Sequence, residues 1–327
     1  MSLRTKRVLL TGGGGFIGAH LCRRLVDEGA EVFVMVKYNS VIENVRLVRL
    51  WDRITPVEAD LRNFNSLSQL KEIKPQIIFH LAAYNHVGDS FLHFAEAMGS
   101  NAQGTVHLLE AYEDYERFIY TSTSEVYGYQ ERVPFREAAT PFPLSPYAVG
   151  KYSGELYARL KRQSLQRPIV VLRPFNAFGP YQSARAVIAE LIIKCLRGED
   201  VVTTEGKQTR DFNFVQNLID GFVLAAVRPE AVGEVINLGT GIETSIRDLV
   251  ERVHRLTGSQ SRLRIGEWPY RPGEIWRMCA DSAKAQRLLG WTSAVDLNSG
   301  LEQTIAWYRE YLEEFCNSTA PLSRIGL

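Results

Sequence analysis

Seven short and mostly apolar segments that alternate with helical patterns predict an α/β fold. The segments lie at residues 7–11, 32–36, 54–58, 76–80, 117–121, 169–173 and 234–238. Continuous apolar strands of this kind, separated by helices, are typical of a parallel sheet that is buried on both faces. We therefore expect a doubly wound parallel sheet of about seven strands. Ligands bind beyond the carboxyl ends of such strands, so a functional site is expected at that edge.

A run of glycines follows the first predicted strand directly. Residues 12–15 are all glycine, Gly18 follows one turn later, and Ile17, Leu21 and Leu25 repeat at helical spacing. Strand, glycine turn and helix form the arrangement of a dinucleotide-binding fingerprint, in which amides at the helix N-terminus receive a pyrophosphate. The alternative is a flexible glycine-rich turn. The strand and helix on its two sides favour the fingerprint and a Rossmann-type sheet.

The second predicted strand ends without a carboxylate. In NAD-binding proteins of this fold, an acidic residue at that place binds the ribose 2′-hydroxyl. Here Lys37, Asn39 and Ser40 follow the strand, and a cation with two small polar side chains suits a 2′-phosphate. We therefore expect NADP. The alternative is that Lys37 is solvated and that Asn39 or Ser40 holds the ribose.

Two polar motifs follow the fifth predicted strand. Residues 122–128 read STSEVYG, and further on Tyr147 and Lys151 stand four residues apart. On a helix, which Ser145 and Pro146 would begin, these two side chains share one face. A lysine cation beside a phenol would lower the tyrosine pKa from about 10 and create a general base. Alone, the spacing is a weak signal that more often marks a pair on a helix surface; the glycine motif favours the catalytic interpretation.

The composition argues against several kinds of partner. A net charge of +1 over 327 residues predicts no nucleic-acid surface. The four cysteines have no spacing suited to pairing or metal binding, so we expect no metal and free thiols in a reducing cytoplasm. The sequence contains no secretory signal or spanning segment, so we expect a cytoplasmic protein with no membrane partner. The length suffices for two lobes.

Taken together, these motifs resemble the extended short-chain dehydrogenases/reductases, and within them the nucleotide-sugar epimerases and dehydratases. The resemblance spans nearly the whole chain and rests on residues 11–18, 60–61, 80–83, 122–128, 147–151, 173–180, 210–212 and 271–274. The Thr-Ser-Glu at 123–125 is similar to GDP-mannose 4,6-dehydratases. Residues 38–40, 121–128 and 182–188 are similar to the hexosamine 4,6-dehydratases of the legionaminic acid pathway. Two departures are Ser124, where many dehydratases carry Asp, and the lack of a Trp-Gly-Trp stretch after residue 40.

The resemblance implies a division of the chain and a set of site residues. Residues 1–175, with about 212–240, would bind the cofactor, and an interleaved lobe at 176–211 and 241–327 would bind a nucleotide-diphosphate hexose. Tightly bound, recycled NAD(P) would lie against Gly12, Gly15, Phe16, Ile17, Gly18, Lys37, Asn39, Ser40, Asp60, Leu61, Leu81, Ala82, Ala83, Tyr147 and Lys151. The catalytic residues would be Thr123, Glu125, Tyr147 and Lys151. The substrate would be held by Ser124, Asn176, Arg185, Arg210 and Arg271; each arginine could instead be a solvated loop charge.

The resemblance also implies a homodimer, formed through the helix that carries Tyr147 and the helix before it, at about 91–112. Each helix has an apolar stripe that could face a partner or the sheet: Leu156, Tyr157 and Leu160 in the first, and Leu108, Leu109 and Tyr112 in the second.

Three functions remain open from the sequence. The first is a 4,6-dehydratase, in which Glu125 would remove the C5 proton. The second is a C4 epimerase, which oxidises the same carbon and needs no base at C5. The third is a catalytically idle cofactor-binding scaffold, against which the intact Thr123, Tyr147 and Lys151 argue.

Overall fold

The fold is built on a seven-stranded sheet. The computed structural model describes residues 2–37, 46–270 and 273–313. The strand order is β11-β6-β5-β4-β1-β2-β3, and every neighbouring pair is parallel. The strands are β1 (Arg7–Thr11), β2 (Glu31–Val36), β3 (Thr55–Glu58), β4 (Ile77–His80), β5 (Arg117–Thr121), β6 (Ile169–Pro174) and β11 (Val235–Leu238). The predicted fold class is confirmed, and each predicted strand boundary lies within one residue of the observed one.

Helices lie on both faces of this sheet and in the C-terminal half. They are α1 (Phe16–Asp27), α2 (Leu70–Ile73), α3 (Phe94–Met98), α4 (Gly104–Ala111), α5 (Pro146–Leu165), α6 (Val187–Arg197), α7 (Val215–Val227), α8 (Ile246–Thr257), α9 (Ala283–Leu289) and α10 (Leu297–Tyr311). A π-helical segment, Gly99–Gln103, joins α3 to α4. None of the described helices is both long and apolar enough to cross a membrane.

Two apolar layers, one on each face of the sheet, explain why most of its strands are apolar along their whole length. Side chains alternate across a strand, so Val8 and Leu10 of β1 pack into one layer and Leu9 packs into the other. The first layer includes residues of α1 and α7, and the second includes residues of α4 and α5. Burial on both faces is what a doubly wound parallel sheet requires.

Three small sheets occur in the second half of the described chain. They pair β7 (Ala177–Phe178) with β10 (Asn213–Phe214), β8 (Val201–Thr203) with β13 (Leu263–Ile265), and β9 (Thr209–Arg210) with β12 (Thr244–Ser245). β11 returns from this half to the edge of the main sheet beside β6. The interleaving of two lobes at the predicted boundaries stays a prediction.

The two predicted apolar stripes differ in their surroundings. Leu108, Leu109 and Tyr112 are buried in the second apolar layer, so the alternative that they pack on the sheet is the right one. On α5, by contrast, Leu156 and Leu160 are 47% and 50% exposed. The helix start at Ser145 is as predicted, since its hydroxyl accepts a hydrogen bond from the Ala148 amide at 3.1 Å.

Candidate functional site

The glycine turn brings β1 close to the chain that leaves β4. Gly12 has a φ of +72°, and a Cβ there would lie 2.6 Å from the Ala82 nitrogen. A Cβ on Gly18 would lie 2.1 Å from the Gly12 carbonyl oxygen. Thr11 fastens the same junction, because its hydroxyl accepts a hydrogen bond from the Ala82 amide at 3.1 Å. Only glycine fits these two places, as a dinucleotide fingerprint requires.

The N-terminus of α1 faces the site, and no side chain caps its first amides with a hydrogen bond. Gly15 is the N-cap residue, and no side chain caps the helix. A Cβ on Gly15 would approach only the Gly12 oxygen, at 3.1 Å. Helix amides beside a glycine surface can receive the pyrophosphate of a dinucleotide. The residues present therefore fit NAD(P).

A cavity of about 300 Å³ lies beyond the ends of β1, β2 and β3. Eight predicted cofactor residues line it: Gly12, Gly15, Lys37, Asp60, Leu61, Leu81, Ala82 and Ala83. Asp60 pairs with the Arg62 guanidinium at 2.6 Å. Hydrogen bonds from Arg62 are the main reason that the pKa of Asp60 falls to about 2, so it is ionised at neutral pH. This cavity suits the adenosine half of the cofactor.

A second cavity, of about 310 Å³, adjoins the first at Gly12, Gly15, Leu81, Ala83 and Asn85. The predicted residues that line it are Gly12, Gly15, Phe16, Ile17, Gly18, Leu81, Ala83, Thr123, Ser124, Glu125, Tyr147, Lys151 and Asn176. The four predicted catalytic residues thus share one cavity. The loop after β5 and the first turns of α5 bring them there.

The phenol of Tyr147 is not the activated base that the sequence predicts. Burial raises the pKa of Tyr147 to about 12, the nearby Glu125 carboxylate adds to the rise, and a hydrogen bond with Thr123 opposes it. The expected lowering by Lys151 is therefore wrong for the protein alone, because desolvation dominates. Thr123 is nevertheless near enough to Tyr147 to lower the phenol's pKa through a hydrogen bond, so both side chains can reach one substrate hydroxyl.

Lys151 is an almost fully buried cation. Its exposed fraction is 2%, and its ammonium lies 4.6 Å from the centre of the Tyr120 ring. Burial lowers the pKa of Lys151 to about 7, and the carboxylate of Glu155 opposes that shift. Beside it, His80 lies between two hydroxyls, 2.7 Å from Thr11 Oγ1 and 3.0 Å from Thr105 Oγ1. Burial and the charge of Lys151 keep the pKa of His80 well below its usual value.

Two further groups in the second cavity bear on a substrate. Ser124 is buried, and its hydroxyl donates to the Met278 sulfur at 3.3 Å. Asn176 presents a buried Oδ1 that has no hydrogen-bond partner among the described residues, and so does the Thr121 hydroxyl. Orphaned buried polar atoms are rare and are satisfied when a ligand binds. Asn176 and Thr121 therefore suit contact with a ligand.

Two of the predicted arginines, Arg185 and Arg210, lie outside the lining of both cavities. Arg185 is 63% exposed and pairs with Asp89 at 2.7 Å. Arg210 is largely buried, pairs with Glu274 at 2.7 Å and donates to the Ile275 carbonyl. Arg271, Asn39 and Ser40 fall outside the described residues. The assignment of these arginines to the diphosphate stays a prediction.

Several cavity residues were not predicted. They include Gly14, Arg62, Tyr84, Asn85, Val87, Glu96, Ser100, Thr121, Ser122 and Phe175. Some of these flank predicted motifs, and extending each motif by a few residues would have found them. Glu96 lies on α3, and Ser100 lies in the π-helical segment that follows it. No motif in the sequence marks either residue as part of a site. Among the described residues, no group of three or more His, Cys, Asp or Glu side chains could hold a metal ion.

Known proteins match this chain over most of its length. A sequence model of the GDP-mannose 4,6-dehydratase family matches residues 9–304. UDP-glucose 4-epimerase from Mycolicibacterium smegmatis is 33% identical over 311 residues, covering 93% of this chain and 98% of the relative.

Two solved structures have nearly the same fold. UDP-glucose 4-epimerase from Thermotoga maritima, solved with UDP-glucose, has a TM-score of 0.87 at 31% identity and covers 93% of this chain and 99% of that one. DesIV, the dTDP-glucose 4,6-dehydratase from Streptomyces venezuelae, solved with NAD, has a TM-score of 0.86 at 29% identity and covers 94% of this chain and 98% of that one. Because the family match spans most of the chain and the motif residues meet in one site, the chain belongs to the nucleotide-sugar epimerase/dehydratase family of extended short-chain dehydrogenases/reductases.

Proposed function

We propose that this enzyme is an NAD(P)-dependent nucleotide-sugar 4,6-dehydratase. The observation that carries the proposal is a carboxylate, Glu125, in the same cavity as Thr123 and Tyr147. Elimination of water across C5 and C6 requires a base at C5, whereas C4 epimerisation requires none. Glu125 also lies close enough to Tyr147 to raise the phenol's pKa, which supports a position beside the reacting sugar.

The first half of the proposed reaction uses Tyr147, Thr123 and Lys151. Tyr147 accepts the proton of the sugar 4-hydroxyl as its phenolate, which requires the charge of Lys151 to offset the burial that raises the phenol's pKa. Thr123 hydrogen-bonds the same oxygen. When bound, NAD(P) would supply the acceptor for two electrons from C4 and the donor of the same two electrons to C6, with no net change in the cofactor. Lys151 holds the cofactor ribose and places a positive charge near the phenol. The 4-ketone so formed makes the C5 hydrogen acidic.

The second half depends on Glu125. Its carboxylate removes the C5 proton, and the C6–O bond breaks with the same proton delivered to the leaving oxygen, so that water departs. Ser124 is a poor acid, and its hydroxyl is engaged with Met278. Glu125 therefore serves as both base and acid. After reduction at C6, C5 takes a proton from solvent by way of Glu125, Tyr147 gives the 4-hydroxyl proton back to solvent, and the 4-keto-6-deoxy sugar leaves.

The substrate we propose is a nucleotide-diphosphate hexose. Asn176, with its unpartnered oxygen in the second cavity, supports a contact to the bound nucleotide sugar. Arg185, Arg210 and Arg271 are proposed diphosphate ligands. Arg185 and Arg210 would have to exchange the carboxylates of Asp89 and Glu274 for phosphate oxygens, which a guanidinium can bind in a bidentate way.

For the cofactor we propose a preference for NADP. Lys37 lines the adenosine cavity and supports binding of a 2′-phosphate, while Glu96, also in its lining, opposes it. Titration with NAD and NADP in parallel measures the preference, and Lys37→Ala is expected to weaken NADP binding without weakening NAD binding. Tighter binding of NAD by the unaltered protein would contradict the preference.

We also propose a homodimer and a cytoplasmic setting. The exposed leucines of α5 support the first. For the second, Cys22, Cys195 and Cys279 are buried free thiols, as is usual in a reducing compartment.

Glu125→Gln tests the dehydratase proposal. A panel of nucleotide sugars, weighed before and after incubation in deuterated water, first identifies the substrate by loss of one water. With that substrate we expect the variant to keep C4 oxidation, seen as absorbance of the reduced cofactor. Water loss and deuterium entry at C5 should fall about 100-fold or more.

Glu131→Gln is the matched control, because Glu131 follows on the same loop and is exposed. It should behave as the unaltered enzyme does. Release of the 4-keto-6-deoxy sugar by Glu125→Gln at the parent rate would refute the role of Glu125. A product of unchanged mass with inverted C4 would establish the epimerase instead. Lack of turnover of every sugar would favour the scaffold.

A further inference from the structure

A buried carboxylate joins helix α5 to the start of the catalytic loop. Glu155 lies one helical turn beyond Lys151 and is fully buried. Its Oε2 accepts hydrogen bonds from Ser122 Oγ at 2.7 Å and from Arg173 Nε at 3.0 Å, and its Oε1 accepts one from Arg173 Nη2 at 2.6 Å. Ser122 is the residue immediately before Thr123.

The partner arginine reaches the other end of the same loop. Arg173, on β6, is 1% exposed, and its guanidinium carbon lies 4.7 Å from the centre of the Tyr127 ring. The Tyr127 hydroxyl donates to Asn237 Oδ1 at 2.6 Å. Asn237 belongs to β11 and donates in turn to the Phe135 carbonyl at 2.9 Å. The residue two places before Tyr127 is Glu125.

We propose that the Glu155–Arg173 pair is a positioning device that holds the loop 122–127 at both ends and sets its place relative to Tyr147 and Lys151. The consequence for the reaction rests on the proposed roles of Thr123 and Glu125. The contact to Ser122 fixes the side of the loop that carries Thr123, and the contact to Tyr127 fixes the side that carries Glu125. Glu155 shares its helix with Tyr147 and Lys151, so one side chain links both halves of the catalytic set.

Burying the Glu155–Arg173 pair lowers the stability of the protein, and we attribute its presence to the positioning of its neighbours. Burying two charges carries a desolvation penalty that well-packed apolar side chains would avoid. An ion pair with directional hydrogen bonds, however, defines where its neighbours lie. Here three hydrogen bonds link Glu155 to Ser122 and Arg173, and the Tyr127 ring covers the guanidinium. A catalytic loop benefits because a displacement of about 1 Å can cost about 100-fold in rate.

Ser122→Ala tests the device with little risk to folding, since it deletes one hydroxyl and leaves the ion pair intact. The first readout is hydrogen exchange of the loop amides in the holoenzyme. The amides of Glu125, Val126 and Gly128 are hydrogen-bonded within the loop, so their exchange reports its stability. We expect them to exchange about 10-fold faster in the variant, because a hydrogen bond to a charged group has been lost.

The second readout separates positioning from general loss of structure. We expect Ser122→Ala to slow reduction of the cofactor by the substrate about 10-fold or more, with substrate affinity changed less than about twofold. Tyr127→Phe, which loses the bond to Asn237, should instead slow deuterium entry at C5 more than cofactor reduction. Tyr157→Phe is the control: it removes a comparable hydroxyl-to-carboxylate bond on α5, to Glu110, away from the cavity.

Unchanged loop exchange in Ser122→Ala would overturn the proposal, whatever reaction the enzyme performs. Equal effects of Ser122→Ala and Tyr157→Phe on cofactor reduction would overturn it as well. C4 oxidation is common to dehydratases and epimerases, so the Ser122 test stands even where Glu125→Gln refutes the dehydratase. The effects of Ser122→Ala and Glu155→Gln on the exchange rates of the loop amides should also be non-additive, because both variants alter the same contact.

Discussion

Lys151 lowers the stability of the protein and at the same time places a cation in the proposed active site. A cation almost fully removed from water is held where it can contact a cofactor ribose, and its pKa falls to about 7 as a result of burial. The unfolded chain would hold the same proton up to a pH of about 10.4. The folded protein therefore binds fewer protons than the unfolded chain between these two values.

Lys151→Met is expected to raise the unfolding temperature of the cofactor-free protein while abolishing turnover. The lysine's burial penalty is complete below pH of about 7 and is relieved as the pH rises toward about 10. The gain of the variant should thus be largest near pH 6.5 and shrink steadily above it, which thermal unfolding across that range measures. Lys71→Met, at an exposed lysine, is the control and should show no such trend. A gain of equal size at every pH would exclude charge burial as its cause.

For single residues, the sequence predicted which side chains lie together, but it did not predict their pKa values or their long-range contacts. The spacing of Tyr147 and Lys151 correctly placed both in one cavity, because helical geometry is local. The pKa of Tyr147 moved opposite to the expectation, because desolvation depends on everything packed around the phenol. The Glu155 contact to Ser122 joins residues 33 apart in sequence, and no local pattern could predict it.

At the scale of elements, helix α5 determines where the catalytic tyrosine and lysine lie. It packs closely on the Gly99–Gln103 segment and on β5, and the closeness depends on Gly154. A Cβ at that place would lie 2.5 Å from the Tyr120 hydroxyl and 2.9 Å from the Asn101 carbonyl oxygen. The Tyr120 hydroxyl in turn donates to the Lys151 carbonyl at 2.7 Å. From the sequence, Gly154 is only a poor helix former.

Gly154→Ala is expected to destabilise the protein by about 1–3 kcal/mol, since one added methyl must push the helix from a well-packed place. The displacement moves Tyr147 and Lys151 with it, so turnover should fall as well. Denaturant unfolding and steady-state rates measure the two effects. Ser153→Ala, at the neighbouring half-buried position, should leave both nearly unchanged. A variant more stable than the parent, as helix propensity alone would give, would contradict the packing argument.

At the scale of the whole molecule, the main sheet could be predicted almost completely and the second half could not. Apart from β3, whose sequence is TPVE, the strands of the main sheet are mostly apolar runs, and hydrophobic pattern identifies such runs. Pairs such as β9 and β12 contain two residues each and join positions more than thirty apart, so they have no sequence signature of their own. The diphosphate ligands predicted in that half accordingly stay the least supported part of the site.

Exposed apolar side chains on α5 and in the segment before α4 bear on how the protein assembles. Leu156 and Leu160 lie one turn apart on α5 and are half exposed, while the apolar residues of α4 are buried in the core. Phe91, Leu92 and Phe94, in the segment that precedes α4, are exposed by 58%, 79% and 62%. Exposed apolar residues in such number are typical of an interface.

We therefore expect a dimer by light scattering at micromolar concentration, and expect Leu156→Glu with Leu160→Glu to give a monomer because two carboxylates would be buried unpaired at the contact. Leu165→Glu is the matched control. It makes the same change on the same helix at a residue that is 52% exposed, but about 140° around the helix from Leu160. That variant should remain dimeric. A monomeric mass for the unaltered protein, or an unchanged dimer in the double variant, would show that this face of α5 is not the interface.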